Sequence, residues 1–504
     1  MSKSIRTSFL VLLLGAQLGI VPAKAQTTPA PTPTTRSICP AQLASNLDAV
    51  INRPLFSRVR WGLLVQSLNS GQTLYNRDAN KYFTPASNTK LLTTAAALQQ
   101  LGANFRIRTS VYQEASGVLR VVGRGDPSIT DAQLTVLAKQ LKAKGITRIN
   151  KLIADDSYIQ GDVVQPSWQW EDVQSDYGAP VGSFMVNENA FTIRLVPQAV
   201  GRPLQINWAD PNEARVWRLL NLSLTAANNQ ETDLSVTRDL SGNVLKIQGK
   251  LAANASPFAV TLPVVDPNYF FLRRFRAALA SEGITLGETA VEASGEPLAV
   301  DGFPGISKVA NLYGATTTEV AAIQSPTLGE IVAKTNTDSD NLYAESVLNA
   351  LAVRQTRKPG QATSGLGLEV LKTTLTQLRV NPTSYFIVDG SGLSRKNLIS
   401  PEALVQVLQG MAKAPTASVF RASLPIAGRT GTLKARFRGT TAEAIVVAKT
   451  GTVGGVVSLS GYINTPNYEP LVFSVIVNQT EQPARVLRQA VDEMVVTMTQ
   501  LRRC

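Results

Sequence analysis

The run AIVVAKTGTVGGVVSLSGYINTPNYEPLVFSVIV, residues 444–477, decides how this chain is built. Within it, 444–448, 456–463 and 471–477 are largely apolar and rich in β-branched residues, the signature of neighbouring buried strands. The first strand leads into Lys449-Thr450-Gly451, and Gly454-Gly455 just beyond allows another segment to approach closely. Pro483 starts a last helix running towards Leu501. Working outward, 63–68 reads as a strand, Asn69-Ser70-Gly71 as a turn and 73–75 as the returning strand. Pro85-Ala86-Ser87 opens a Leu/Ala-rich helix over 90–101, closed by Gly102, and a further helix is predicted over 341–352. The fold class is therefore α/β, with flanking helices around an antiparallel sheet built partly from the C-terminal half.

From 105 to 309 the texture changes. Short β-like runs such as 234–237 and 244–247 are separated by turn signals, Gly123-Arg124-Gly125-Asp126-Pro127 among them. This stretch reads as a large, mostly β insertion, expected to form two nested smaller domains. The core is then split between 39–104 and 310–504. Residues 1–25 carry Lys3 and Arg6, an apolar stretch over 9–21 and Ala23-Lys24-Ala25, the pattern of a cleaved signal peptide; an uncleaved anchor is the alternative. Residues 26–38 form a Pro/Thr tether.

Net charge is +13, from 49 basic and 36 acidic residues. The charges are scattered, with no basic run interleaved with aromatics, so no nucleic-acid partner is expected and at most loose attraction to an anionic envelope. Cys39 and Cys504 are the two cysteines. In an oxidising compartment they either form a disulfide, which requires adjacent termini, or remain two free thiols. No metal or other cofactor is expected: two cysteines without histidine make a poor zinc site. The oligomeric state is left open.

The chain contains no histidine, so a Ser-His-Asp triad is impossible. Three strings offer another route: Ser87-Asn88-Thr89-Lys90, Ser339-Asp340-Asn341 and Lys449-Thr450-Gly451, in that order. Residues three apart on a helix share a face, so Lys90 can reach Ser87. An ordinary lysine titrates near 10.4, but burial, a helix N-terminus and a second cation such as Lys449 favour the neutral, basic form. Ser-x-x-Lys alone is weak, since a chain of this length contains it about once or twice by chance. Ser-x-Asn recurs at Ser67 and Ser241, and Arg429-Thr430-Gly431 mimics the third string. The ordered set behind an export signal is far more specific than any member.

The set resembles the penicillin-recognising serine acyl transferases. The 252 residues from Ser87 to Ser339 and 110 from Ser339 to Lys449 make it similar to the D-alanyl-D-alanine carboxypeptidase/endopeptidase family, the low-molecular-mass class C penicillin-binding proteins. Gly125-Asp126-Pro127, Tyr177-Gly178-Ala179-Pro180, Asn187-Glu188-Asn189-Ala190-Phe191, the string from Asp389 to Arg395, and Gly431-Thr432-Leu433 agree, so the resemblance spans nearly the whole mature chain. It implies a penicillin-binding-protein/β-lactamase-like transpeptidase fold, export to the periplasm or cell envelope, peptidoglycan peptides as substrate and β-lactams as inhibitors. It implies Ser87 as nucleophile, Lys90 as base, Ser339 as proton relay, Asn341 as substrate-amide holder and Lys449 as positive field. Thr450, Gly451 and Thr452 would bind the terminal carboxylate, with an oxyanion hole from the Ser87 and Thr452 N–H groups. Asp172, Tyr177, Ser391 and Arg395, with Trp170 and Val453 nearby, would read a diaminopimelate-like stem side chain; Asp172 and Arg395 are otherwise surface charges, and Trp168 and Trp170 otherwise packing residues. The rival readings are a β-lactamase and a non-catalytic penicillin-binding envelope protein. A class A β-lactamase needs a deacylating glutamate well beyond its Ser-Asp-Asn string, and Glu345 follows Asn341 by only four residues.

Overall fold

The C-terminal run forms three antiparallel strands, Val446–Val453, Val456–Ile463 and Leu471–Asn478, and the N-terminal hairpin Arg60–Ser67 and Thr73–Arg77 completes a five-stranded sheet beside the last of them. The computed structural model describes residues 37–239, 242–292, 317–358 and 360–504. The expected signal peptide and most of the tether lie outside these, as does the expected 309/310 boundary.

All eight residues of Val456–Ile463 and of Leu471–Asn478 are buried because both faces of the sheet are covered. Alternation then assigns each side chain to one of two cores. Leu64, Val472 and Ile476 face the helices Thr89–Leu101, Leu328–Thr337, Asn341–Leu351 and Pro401–Ala412. Leu63, Val65, Phe473 and Val475 face the terminal helices Pro40–Ile51 and Ala484–Thr499, through Leu43, Leu47, Val491 and Met494. These two helices bring Ile38 and Leu501 together. Ile38 and Leu501 form a parallel bridge, and Cys39 is disulfide-bonded to Cys504. The fold thus resolves the open cysteine question in favour of the bond.

Among the described residues, the stretch expected as an insertion contributes to three sheets and carries two α-helices. A mixed five-stranded sheet has the order Thr285–Glu292, Arg148–Asp155, Val118–Val122, Arg108–Ala115, Thr318–Gln324. Its last strand pairs with Arg108–Ala115 although it follows residue 309. Between its strands the chain forms two three-stranded sheets, one of Arg218–Ala226, Val244–Ala252 and Asp233–Arg238, the other of Phe258–Pro263, Ala190–Val196 and Gln205–Trp208. Helices Asp131–Ala143 and Pro267–Ser281 pack on these sheets, and Leu137, Phe275, Ile193 and Ile247 share one apolar core. Ser37–Cys504 is a single compact unit. Among the described residues no helix is long and apolar enough to cross a membrane.

Candidate active site

Ser87 lies in a 3₁₀ turn, Ala86–Asn88, that runs directly into Thr89–Leu101. Ala86 has φ of +49°, an uncommon conformation for a residue with a Cβ and one that clusters at functional sites. The turn is wedged against the sheet: Ser458 Oγ donates to Pro85 O at 2.7 Å, and Asn88 Nδ2 donates to Ser460 Oγ at 2.8 Å. Gly451 faces it across the strand. A Cβ there would lie 3.0 Å from the Ser87 nitrogen and 2.2 Å from Ser458 Oγ, so only glycine lets the Lys449 strand approach the serine so closely.

One helical turn beyond Ser87, Lys90 is fully buried. Its ammonium donates to Ser87 Oγ at 3.0 Å, Asn341 Oδ1 at 2.6 Å and the Ser391 carbonyl at 2.7 Å. Burial pulls its pKa down to about 8, opposed by the fields of Asp389, Asp340 and Glu345. Lys449 is also fully buried, and donates to Ser339 Oγ at 2.8 Å and to the Thr450 carbonyl at 2.9 Å. Burial, with Lys90 second, drives its pKa well below the ordinary lysine value. The sequence expectation that Lys449 depresses Lys90 runs the other way: Lys90 helps to lower Lys449, whereas burial is what lowers Lys90.

Asp340 caps the Asn341 helix by accepting the Tyr343 N–H at 3.0 Å, while Ser339 before it sits at φ +65°. The cap turns Ser339 to Lys449 and Asn341 to Lys90. Asn341 also donates through Nδ2 to the Tyr177 carbonyl at 2.8 Å, so the insertion touches the centre itself. Thr450 Oγ1 donates to Thr432 Oγ1 at 2.8 Å, which places Gly431-Thr432-Leu433 at the end of the cleft. Thr452 is exposed beside it.

The side-chain wall is assembled from both regions. Arg395 forms an ion pair with buried Asp172, and Tyr177 Oη lies 3.5 Å from Asp172 Oδ1. Ser391 is fully buried; its Oγ accepts the Leu393 N–H at 3.3 Å and its carbonyl serves Lys90. Trp168 is a packing residue: it clusters with Val173 and Leu393, and Nε1 donates to Asp389 at 3.0 Å. Trp170 is 43% exposed, with the Arg238 guanidinium 5.9 Å from its ring centroid.

Sequence reasoning did not anticipate the main-chain acceptors of Ser391 and Tyr177, because a carbonyl has no residue signature. It quoted Thr432 only as part of a matching string and weighed Glu345 only as a deacylating residue, giving neither a place in the centre. Glu345 is buried and accepts the Gly390 and Ser391 N–H groups, which agrees with denying it a deacylating role. The i, i+4 spacing from Asn341 is the signal that could have tied it to the centre. Among the described residues, no group of three or more Cys, Asp or Glu is placed to hold a metal ion.

Residues 43–501 match the D-Ala-D-Ala carboxypeptidase 3 (S13) family. A D-alanyl-D-alanine carboxypeptidase of Actinomadura sp. (strain R39) is 31% identical over 463 residues, 88% of this chain and 82% of that protein. A penicillin-sensitive carboxypeptidase A of Dictyostelium discoideum is 28% identical, with 87% of each chain covered. The crystal structure of penicillin binding protein 4 (dacB) from Haemophilus influenzae superimposes with a TM-score of 0.76 at 24% identity, over 90% of this chain and 98% of that one.

Proposed function

This chain belongs to the D-Ala-D-Ala carboxypeptidase 3 (S13) family, and from that premise we propose that it cleaves D-Ala-D-Ala ends of peptidoglycan stem peptides through an acyl-enzyme on Ser87. The observation that carries this reading is the contact of fully buried Lys90 Nζ with the partly exposed Ser87 Oγ at 3.0 Å, with Lys449 and Ser339 joined at 2.8 Å in the same cleft.

In this mechanism neutral Lys90 takes the Ser87 hydroxyl proton as Oγ bonds to the carbonyl carbon between the two D-alanines. Ser87 and Thr452 N–H groups hold the oxyanion. The C–N bond then breaks as Ser339 relays to the departing amine nitrogen the proton that Lys90 took from Ser87, which returns Lys90 to its neutral form. Asn341 holds the substrate amide. Thr450 and Thr452 receive the terminal carboxylate, for which Gly451 leaves room. That carboxylate favours the charged form of Lys449, opposing the downward pull of burial on its pKa. Water then adds to the ester, releasing the shortened peptide and the serine. A β-lactam acylates the same oxygen but keeps its leaving group tethered, in keeping with the penicillin-sensitive relative.

Asp172, Tyr177, Ser391 and Arg395 are assigned to the stem side chain, with Trp170 and Val453 at the rim. A zwitterionic terminus suits this wall, since its amine and carboxylate can exchange with the Asp172–Arg395 pair. The same reading makes 39–104 and 310–504 the catalytic body and 105–309 the inserted region, with the strand Thr318–Gln324 of the former lent to the sheet of the latter, and assigns the enzyme to the periplasm or cell envelope.

The test is release of D-alanine from a pentapeptide by the purified mature protein. Ser87→Ala should abolish it, and undiminished release by that variant would refute the nucleophile. Mass spectrometry of digested muropeptides then separates carboxypeptidase from endopeptidase products. Rapid turnover of a β-lactam would favour a β-lactamase instead.

A further inference from the structure

Lys90 has three acceptors, and only the Ser87 hydroxyl and the Asn341 amide belong to the strings that define the site. The third, the Ser391 carbonyl, is a loop main-chain group whose aim depends on how its peptide is held. Two buried carboxyl groups hold that loop. Asp389 accepts the N–H groups of Gly392 at 2.8 Å and Ser394 at 2.7 Å, together with Asn397 Nδ2 at 2.7 Å and Trp168 Nε1 at 3.0 Å. Glu345, one turn beyond Asn341, accepts the Gly390 N–H at 3.0 Å and the Ser391 N–H at 2.8 Å. The loop has little freedom besides. Thr93 Oγ1 donates to the Gly390 carbonyl at 2.7 Å, and a Cβ on Gly392 would sit 1.9 Å from Ala86 O.

We propose that Glu345 is a positioning residue for acylation: its carboxyl group grips the Gly390 and Ser391 N–H groups and, together with Asp389 on the Gly392 N–H of the peptide that carries the Ser391 carbonyl, aims that carbonyl at Lys90 Nζ. One helix then sets two of the three contacts of the base, Asn341 directly and Glu345 through the loop. The inference rests on the reading of Lys90 as the acceptor of the Ser87 proton. Glu345 is 1% exposed, and a carboxyl group with no cation in contact is an expensive occupant of such a site. Its hydrogen bonds to the loop supply the compensation. Burial, then Asp389, pushes its pKa up to about 8.

The experiment compares Glu345→Gln with Glu345→Asp at pH 7, reading kcat and KM for D-alanine release, the rate of acylation by benzylpenicillin, and the melting temperature. Glutamine keeps an acceptor at the same reach. Aspartate keeps the carboxyl group but withdraws it by about 1.5 Å, one carbon–carbon bond. The expectation is that E345Q stays within about threefold of wild type, while E345D loses on the order of 10²-fold in acylation and kcat with KM nearly unchanged, as a displacement of about 1 Å in a supporting group can do. Wild-type acylation by folded E345D would overturn the proposal, as would a folded E345Q as impaired as E345D. Should E345D not fold, E345Q decides: near-normal acylation supports an acceptor role and its loss with the fold intact refutes it. Failure of the underlying reading looks different, since Lys90→Ala would then acylate normally whatever the Glu345 variants do.

Discussion

The reactive cleft and the Asp172–Arg395 wall handle charge in opposite ways. In the cleft two lysines are fully buried with no carboxylate in hydrogen-bond contact, and burial drives both pKa values down. In the wall opposite charges touch, Asp172 buried and Arg395 reaching partly into solvent. Charge that must change protonation state is kept desolvated and directly unpaired. On the proposed function, the charge that selects a partner is kept paired and within reach, where an incoming zwitterion would replace the internal partner. Ser87, Lys90, Ser339, Asn341 and Lys449 all lie within 39–104 and 310–504, whereas the wall joins Asp172 and Tyr177 from the stretch between them to Arg395.

The sharpest break of this contrast is Ser87→Ala, which should lower D-alanine release by at least about 10⁴-fold and abolish covalent penicillin labelling, read by mass spectrometry of the intact protein. Lys449→Ala removes field without removing the nucleophile. We expect a fall on the order of 10²- to 10³-fold in kcat/KM, for peptide and β-lactam alike. The cleft is tested again by pH. Lys90 must be neutral to accept a proton and its pKa lies near 8, so kcat/KM should climb about tenfold per unit from pH 6 and level off above about 8. A profile flat across that range would remove Lys90 as the base.

Asp172→Asn probes the wall. It should cost about tenfold in kcat/KM for peptides ending in a zwitterionic side chain and leave acylation by benzylpenicillin within about threefold. An equal loss for both substrates would erase the distinction between reaction and recognition. The smallest effect on catalysis belongs to Cys39→Ser with Cys504→Ser. The bond closes a separation of 465 residues, so its loss should lower stability by about 2–4 kcal/mol, seen in thermal melts, with turnover at 25 °C unchanged.

Much of the body was legible. Strands 456–463 and 471–477 were readable because sheets covered on both faces make continuous apolar runs, and they match the observed strands within a residue. The helix after Ser87 was readable from Leu/Ala composition and Gly102, although the serine itself stands in a 3₁₀ turn before it. The insertion was legible only as texture. Its mixed sheet joins strands as far apart as Arg108–Ala115 and Thr318–Gln324, and such pairing leaves no local pattern.

What the sequence determined by itself was the reactive vocabulary: a serine with a lysine one turn away, a second serine, an asparagine, a second lysine and no histidine. Those are side-chain identities at short spacing, which local geometry constrains. Only the tertiary structure decided which main-chain groups complete the site. The Ser391 and Tyr177 carbonyls, the grip of Glu345 on the loop and the meeting of Cys39 with Cys504 all join segments far apart in the chain. The backbone offers the same donor and acceptor at nearly every residue, so its role is set by where packing places it and not by which amino acid carries it.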